Sequence, residues 1–124
     1  MNNWNDSVPI YKQLEAQLVS WILNGEYAEG EALPSVRKLS VELNINHLTV
    51  AKAFDALVHN SIIEKRRGLG MFVLSGAREK LADSEKQKFL DQELPQFVNR
   101  MRDLELDLNA VLEKIQQEVG GGNE

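Results

Sequence analysis

Between Ser35 and Gly68 the chain gathers residue types suited to holding anions and hydrogen-bonding edges without reacting with them. Ser35, Arg37 and Lys38 come first; Asn46, His47, Leu48, Thr49 and Lys52 follow; Lys65, Arg66 and Arg67 then run into Gly68. Guanidinium and ammonium groups pair with phosphate, hydroxyl and amide groups read base edges, and a small apolar side chain can meet a thymine methyl. The chemistry these types support is noncovalent recognition of double-stranded DNA. Covalent chemistry has little to work with. His47 and His59 lie twelve residues apart, with no paired carboxylate spacing, serine–histidine arrangement or phosphate-loop pattern. The absence of cysteine excludes disulfides and thiolate ligands and suits a cytoplasmic protein. The expectation is therefore not an enzyme, with no metal site and no cofactor. Glu79, Glu85, Glu93 and Glu105 read as a solvated helix face.

The overall charge argues against a polyanion partner, and its distribution argues back. The 124 residues carry a formal net charge of −5. Residues 32–76 hold Arg37, Lys38, Lys52, Lys65, Arg66 and Arg67 against Glu42, Asp55 and Glu64, a local +3. The flanking segments are both acidic, so the one basic section coincides with the candidate contact residues. This length suits one domain of about 70 to 80 residues plus an appendage, without room for a second full ligand-binding domain. No apolar run approaches the roughly 20 residues that span a bilayer, and MNNWND is not a signal peptide. No membrane partner is expected.

The elements that must position these residues follow from periodicity. Pro9 suits the first turn of a helix, and Ile10, Leu14, Leu18, Trp21 and Ile22 then share one face, with Gly25 as a left-handed cap. Trp21 and Tyr11 read as core or rim packing. Leu33-Pro34-Ser35 announces a second helix, because Pro34 disfavours helical geometry at Leu33 and Ser35 can accept from the amide of Arg37 or Lys38. Its inner face is Val36, Leu39, Ser40 and Leu43. Arg37 and Lys38 then occupy the helix end that disfavours cations, which a nearby phosphate explains better than helix stability does. A turn at Asn44-Ile45 leads to a third helix capped by Asn46, with Val50, Ala53, Phe54 and Leu57 as its apolar stripe and Asn60 as a left-handed end. Opposite the stripe lie Asn46, His47, Leu48, Thr49, Ala51, Lys52 and Asp55. Thr49 can meet a base edge or phosphate, Lys52 a guanine edge or phosphate, and Leu48 a thymine methyl. A strand from Ile62, the glycines Gly68 and Gly70, and a return through Met71 to Leu74 make a basic hairpin. The order describes a winged helix-turn-helix.

These residues resemble the DNA-binding domain of the GntR family of bacterial transcription regulators. Pro9, Ile10, Tyr11, Gln13 and Leu14 match its usual opening, and Leu33, Pro34, Ser35, Arg37 and Leu39 match its Leu-Pro-Ser-x-Arg-x-Leu core. Thr49, Val50, Lys52, Ala53 and Phe54 match the next signature; Gly68, Gly70, Phe72 and Val73 match the closing Gly-x-Gly-x-Phe-Val. The resemblance implies that Arg37 contacts phosphate or base and that Asn46, His47, Thr49 and Lys52 line the groove face. It also implies that Arg66, Arg67 and Gly68 reach the minor groove. His47 and Leu48 depart from the proline or arginine and polar residue of many relatives, which alters base preference. Asn60 replaces a frequent glycine and Glu29 a frequent proline.

From Ala77 the chain is charged and helical. Leu90, Leu94, Phe97, Met101, Leu104, Leu108, Val111 and Ile115 alternate at spacings of 4 and 3, a heptad seam that suits a homodimer. Pro95 must kink the helix or open a new one, and Asp107 can cap a final helix that ends before Gly120. The short tail resembles that of the YtrA-type subgroup, which favours a break near Glu105 although the usual glycine is absent. The expected organisation is an arm over residues 1–8, a winged helix-turn-helix over 9–76, a two-helix dimerisation tail over 77–119 and a flexible end over 120–124. The fold class is mainly α with a small β-wing. The expected function is a sequence-specific regulator, more readily a repressor than an activator, on an inverted-repeat operator. A small-molecule effector between tail and domain is compatible with it. The rival expectation is a winged-helix protein-interaction module that does not read DNA, suggested by the acidic total and by Leu48.

Overall fold

A computed structural model describes residues 4–122. Three helices come first, α1 (Ile10–Leu23), α2 (Val36–Leu43) and α3 (His47–His59), and a two-stranded antiparallel sheet follows, β1 (Ile63–Arg66) with β2 (Gly70–Val73). Leu14, Leu18 and Ile22 of α1, Leu39 of α2 and Val50, Ala53, Phe54 and Leu57 of α3 are buried in one cluster with Ile63 and Val73. Each fully buried large apolar side chain contributes about 1.5–3 kcal/mol, so this cluster holds the helices in place. No polar side chain is buried in it among the described residues.

The ends of the helices carry the positioning information. Pro9 sits at the cap, with φ −53° and ψ 138°, one position before the helix rather than in its first turn. Gln13 reaches back from α1, its Nε2 donating to the carbonyls of Asn5 and Val8 and its Oε1 accepting from the Asn5 amide. Residues 5–8 are thus fastened to α1; the first three residues of the expected arm lie outside the described residues. Ser35 Oγ accepts from the Lys38 amide at 3.0 Å, the second of the two amides open to it. Between α2 and α3, Asn44 adopts φ 54°, the Ile45 amide donates to the Ser40 carbonyl, and Ser40 Oγ donates to the Ile45 carbonyl. These bonds close the turn and set the two helices against each other.

The end of α3 departs from expectation. Asn60 has φ −86°, and Ser61 takes the left-handed conformation at φ 60°. The Ser61 and Ile62 amides donate to the Val58 and Leu57 carbonyls, so buried Ile62 packs beside the turn it closes. Burial of Ile62, not the intrinsic preference of asparagine, decides which residue bends.

The hairpin pairs Ile63 with Val73 and Arg66 with Gly70. Ala32 bridges to Phe72, and the Leu33 amide donates to the Met71 carbonyl at 2.8 Å, so the segment before α2 covers the outer edge of β2. The wing tip is closed by the Leu69 amide donating to the Arg66 carbonyl, with Gly68 at φ 76°.

The chain divides into two compact units, Met1–Ser84 and Glu85–Glu124. The boundary falls inside α4 (Ala77–Lys88), whose Ala77 and Leu81 are buried in the core cluster. Residues 77–84 therefore belong with the winged unit rather than with the tail. In the second unit a π-helical turn (Phe89–Glu93) leads directly into α5 (Leu94–Asp103). Pro95 stands in the first turn of α5, where its missing N–H is accommodated by the wider turn before it.

Helix α5 ends with Glu105 at φ 53°, while the Glu105 and Leu106 amides donate to the Arg102 and Met101 carbonyls. Glutamate fills the left-handed position that glycine commonly occupies. Asp107 Oδ2 then accepts from the Ala110 amide at 3.0 Å and caps α6 (Leu108–Gly122). The break near Glu105 and the Asp107 cap fall where the sequence places them, and the apolar row is divided accordingly: Leu90 falls in the π-helical turn, Leu104 in the connecting turn, and the remainder on two separate helices. Helix α6 also continues through Gly120 and Gly121 to Gly122, past its expected end; the last two residues of the expected flexible end lie outside the described residues.

Candidate nucleic-acid interface

The candidate contact residues lie around the N-terminal ends of α2 and α3 and at the wing tip. Ser35, Arg37 and Lys38 are exposed at the start of α2; Asn46, His47, Leu48 and Lys52 are exposed at or near the start of α3, and Thr49 is partly buried. The apolar stripe of α3 is buried behind them. Asn46 Oδ1 accepts from the Leu48 amide at 2.7 Å, which commits the oxygen to capping and leaves the side-chain NH2 as the donor. Ser35 is committed in the same way, with its Oγ capping α2. Val36, Arg37, Ser40, Val41 and His47 line a groove of about 540 Å³ between α2 and the start of α3.

The cations divide by what already holds them. Lys52 Nζ lies 4.1 Å from the centre of the Tyr11 ring, a cation–π contact that brings α1 into the site. Lys38 stands 4.0 Å from Glu42 one helical turn on, an exposed pair of little energetic weight. Arg66 is held twice, by a 3.1 Å hydrogen bond from its Nε to Glu64 Oε2 and by the face of Phe72, 4.2 Å from its Cζ. Arg37, Lys65 and Arg67 have no anionic partner among the described residues. The run Lys65-Arg66-Arg67 is thus not uniform: Arg66 braces the hairpin, and Arg67 enters the turn beside Gly68.

Three residues enter the description that the sequence left out of the interface. Tyr11 supports Lys52 across helices, a pairing no periodicity reveals because the two are far apart in the chain. Val41, 76% exposed, lines the groove beside His47, and Leu69, 69% exposed, stands at the wing tip. Their signal was the reverse of the usual one: apolar residues at positions where neither helical nor strand alternation buries them.

A three-helix core presenting the polar start of its third helix, followed by a basic two-stranded wing, defines a winged helix-turn-helix DNA-binding domain. Residues 10–73 match the model of the bacterial regulatory proteins of the gntR family. The chain is 31% identical over 121 residues to the uncharacterized HTH-type transcriptional regulator YhcF of Bacillus subtilis (strain 168), covering 98% of each. It is 33% identical over 119 residues to the HTH-type transcriptional repressor YtrA of the same strain, covering 94% of this chain and 91% of YtrA. A solved GntR family transcriptional regulator from Listeria monocytogenes superposes with a TM-score of 0.74 at 26% identity, over 92% of this chain and 98% of that one. The protein belongs to the GntR family and is a DNA-binding transcription regulator. Likeness to YhcF and YtrA runs through the helical tail as well as the winged unit. Among the described residues no helix is long and apolar enough to cross a membrane.

Proposed function

We propose that the protein is a homodimeric repressor that binds an inverted-repeat operator. Each copy sets the start of α3 in a major groove, with Asn46, His47, Leu48, Thr49 and Lys52 toward the bases and their flanking phosphates. Ser35, Arg37 and Lys38 meet the backbone from α2, and Arg67 with Gly68 enters the neighbouring minor groove. Arg66 acts mainly by stiffening the wing. The observation that carries this reading is the exposure of cations and hydrogen-bonding groups around the start of a helix whose apolar stripe is fully buried. Such a helix offers its polar end to a groove without giving up any packing.

Dimerisation is supported by the second unit, where Leu90, Leu94, Phe97, Leu104, Leu108 and Ile115 are exposed and Met101 and Val111 only partly buried. YtrA is itself a transcriptional repressor, and a dimer seated on a promoter excludes polymerase without needing an activating surface. A twofold pair of α3 helices reads half-sites separated by about 34–36 Å or a multiple of it, which makes the operator palindromic. Footprinting on the protein's own upstream region tests the reading. The expected result is protection of an inverted repeat; salt-labile protection without a defined site would overturn it.

A further inference from the structure

The first turns of α4 are held to the winged unit by polar contacts from three separate places. Glu29 Oε2, on the segment between α1 and α2, accepts from the Arg78 amide at 3.1 Å, a bond spanning 49 residues of sequence. Gly76 precedes the helix and offers no side chain, so Glu29 caps α4 from elsewhere in the fold. The Arg78 side chain runs the other way, with Nε donating to the Leu23 carbonyl at the end of α1 at 2.9 Å. Lys80 Nζ donates to the Asn60 carbonyl at the end of α3 at 2.6 Å. Beneath them Ala77 and Leu81 are buried. The loop bearing Glu29 is itself fixed, because the Gly30 amide donates to the Val73 carbonyl and the Val73 amide to the Glu31 carbonyl. Amides of Gly76 and Arg78 lower the Glu29 pKa, in keeping with an ionised cap.

Exposed contacts of this kind add little to stability, and two buried side chains are enough to attach a helix. Two apolar contacts on one helix face leave it free to swivel, and polar contacts on three sides remove that freedom. We propose that Glu29, Arg78 and Lys80 are positioning residues that fix the axis of α4 on the winged unit, and that this axis sets the half-site spacing the regulator selects. The inference rests on the dimeric reading above, since a monomer has no spacing to select. Lengths of spacer that do not match the fixed axis require the helix to swivel, and the clamp resists that swivel.

Selection from inverted repeats with spacers of graded length, using the full chain, tests it. The wild type is expected to enrich one spacing, and Glu29→Ala with Arg78→Ala to accept neighbouring spacings, the preference falling by about tenfold. Glu29→Gln keeps an acceptor oxygen and is expected to retain the wild-type preference. Lys80→Ala, a change at an exposed position that leaves the Glu29 cap intact, is expected to broaden the preference partially, and it provides the test if the double variant does not fold. Binding to a single half-site is expected to stay unchanged in every variant. An unaltered spacing preference in folded, dimeric variants would overturn the clamp. A wild type that is monomeric in equilibrium sedimentation, or that shows no spacing preference, would instead overturn the dimeric reading and remove the basis of the clamp.

Discussion

The two units of this chain solve burial in opposite ways. In Met1–Ser84 the large apolar residues of α1, α2, α3 and the wing close on one another, and no buried side-chain polar atom lacks a partner among the described residues. In Glu85–Glu124 no side chain among the described residues is buried, and Leu94, Phe97, Leu108, Leu112, Ile115 and Val119 remain 40–60% exposed. Amphipathic helices gain most of their stability from packing an apolar face, so the second unit has the pattern of one half of an interface. The first unit buries its own apolar residues, while the second leaves an apolar row open, as the proposed dimer requires.

Truncating the first unit's core should have the greatest effect on stability. Phe54→Ala is expected to lower the unfolding free energy by about 3–5 kcal/mol, because Phe54 is fully buried and the space cannot refill. Chemical denaturation checks it, and a loss below about 1 kcal/mol would mean the cluster packs loosely. In the tail the corresponding change should act through association. Leu94→Asp with Met101→Asp is expected to give monomers in equilibrium sedimentation and to weaken operator binding by about 100-fold, since the second half-site ceases to be an intramolecular target. A persisting dimer would place the interface elsewhere.

The wing offers a finer contrast within the first unit. Arg67→Ala is expected to weaken operator binding by about tenfold and to make the dependence of log affinity on log salt shallower by about one unit. Arg66→Ala is expected to change the salt slope less, because its guanidinium is already engaged by Glu64 and Phe72. The opposite ranking in a titration over several salt concentrations would break the division between a bracing and a contacting arginine.

How much of this was legible beforehand differs between the units for the same physical reason. The order of helices and strands in the winged unit, its caps at Ser35 and Asn46, and its core stripe were readable because they depend on local periodicity and on side chains capping nearby amides. Contacts that span the chain were not. Glu29 was legible only as a departure at a turn position, and nothing local announces that it caps Arg78. The Tyr11 and Lys52 contact was hidden likewise. In the tail, spacing alone cannot distinguish one helix from two whose apolar rows stay in phase, and it is Asp107, with the short-tail resemblance, that makes the break near Glu105 legible. Leu112 and Val119 lie outside the strict heptad, although Leu112 fills the exposed apolar row of α6 between Leu108 and Ile115 and Val119 extends it. The break near Glu105 is legible, but the left-handed conformation of a glutamate there is not, since it costs about 1–2 kcal/mol and is tolerated by the two amide bonds that close the end of α5.

The smallest effect expected is also the one that ties the first unit to its outgoing helix. The amides of Gly76 and Arg78, with help from the Arg78 charge, hold Glu29 below its ordinary value of 4.5, and partial desolvation opposes them. A carboxyl whose pKa is depressed on folding contributes stability above its unfolded value and loses it as pH falls through the folded one. The wild type should therefore lose more thermal stability than Glu29→Gln when pH is lowered from about 5 to 3, although both lose some through other carboxylates. At neutral pH the variant should melt slightly earlier, because an uncharged amide oxygen accepts the two backbone bonds less strongly than a carboxylate does. Equal acid sensitivity of the two proteins would mean that the cap holds by geometry alone and that its charge adds nothing to the attachment of α4.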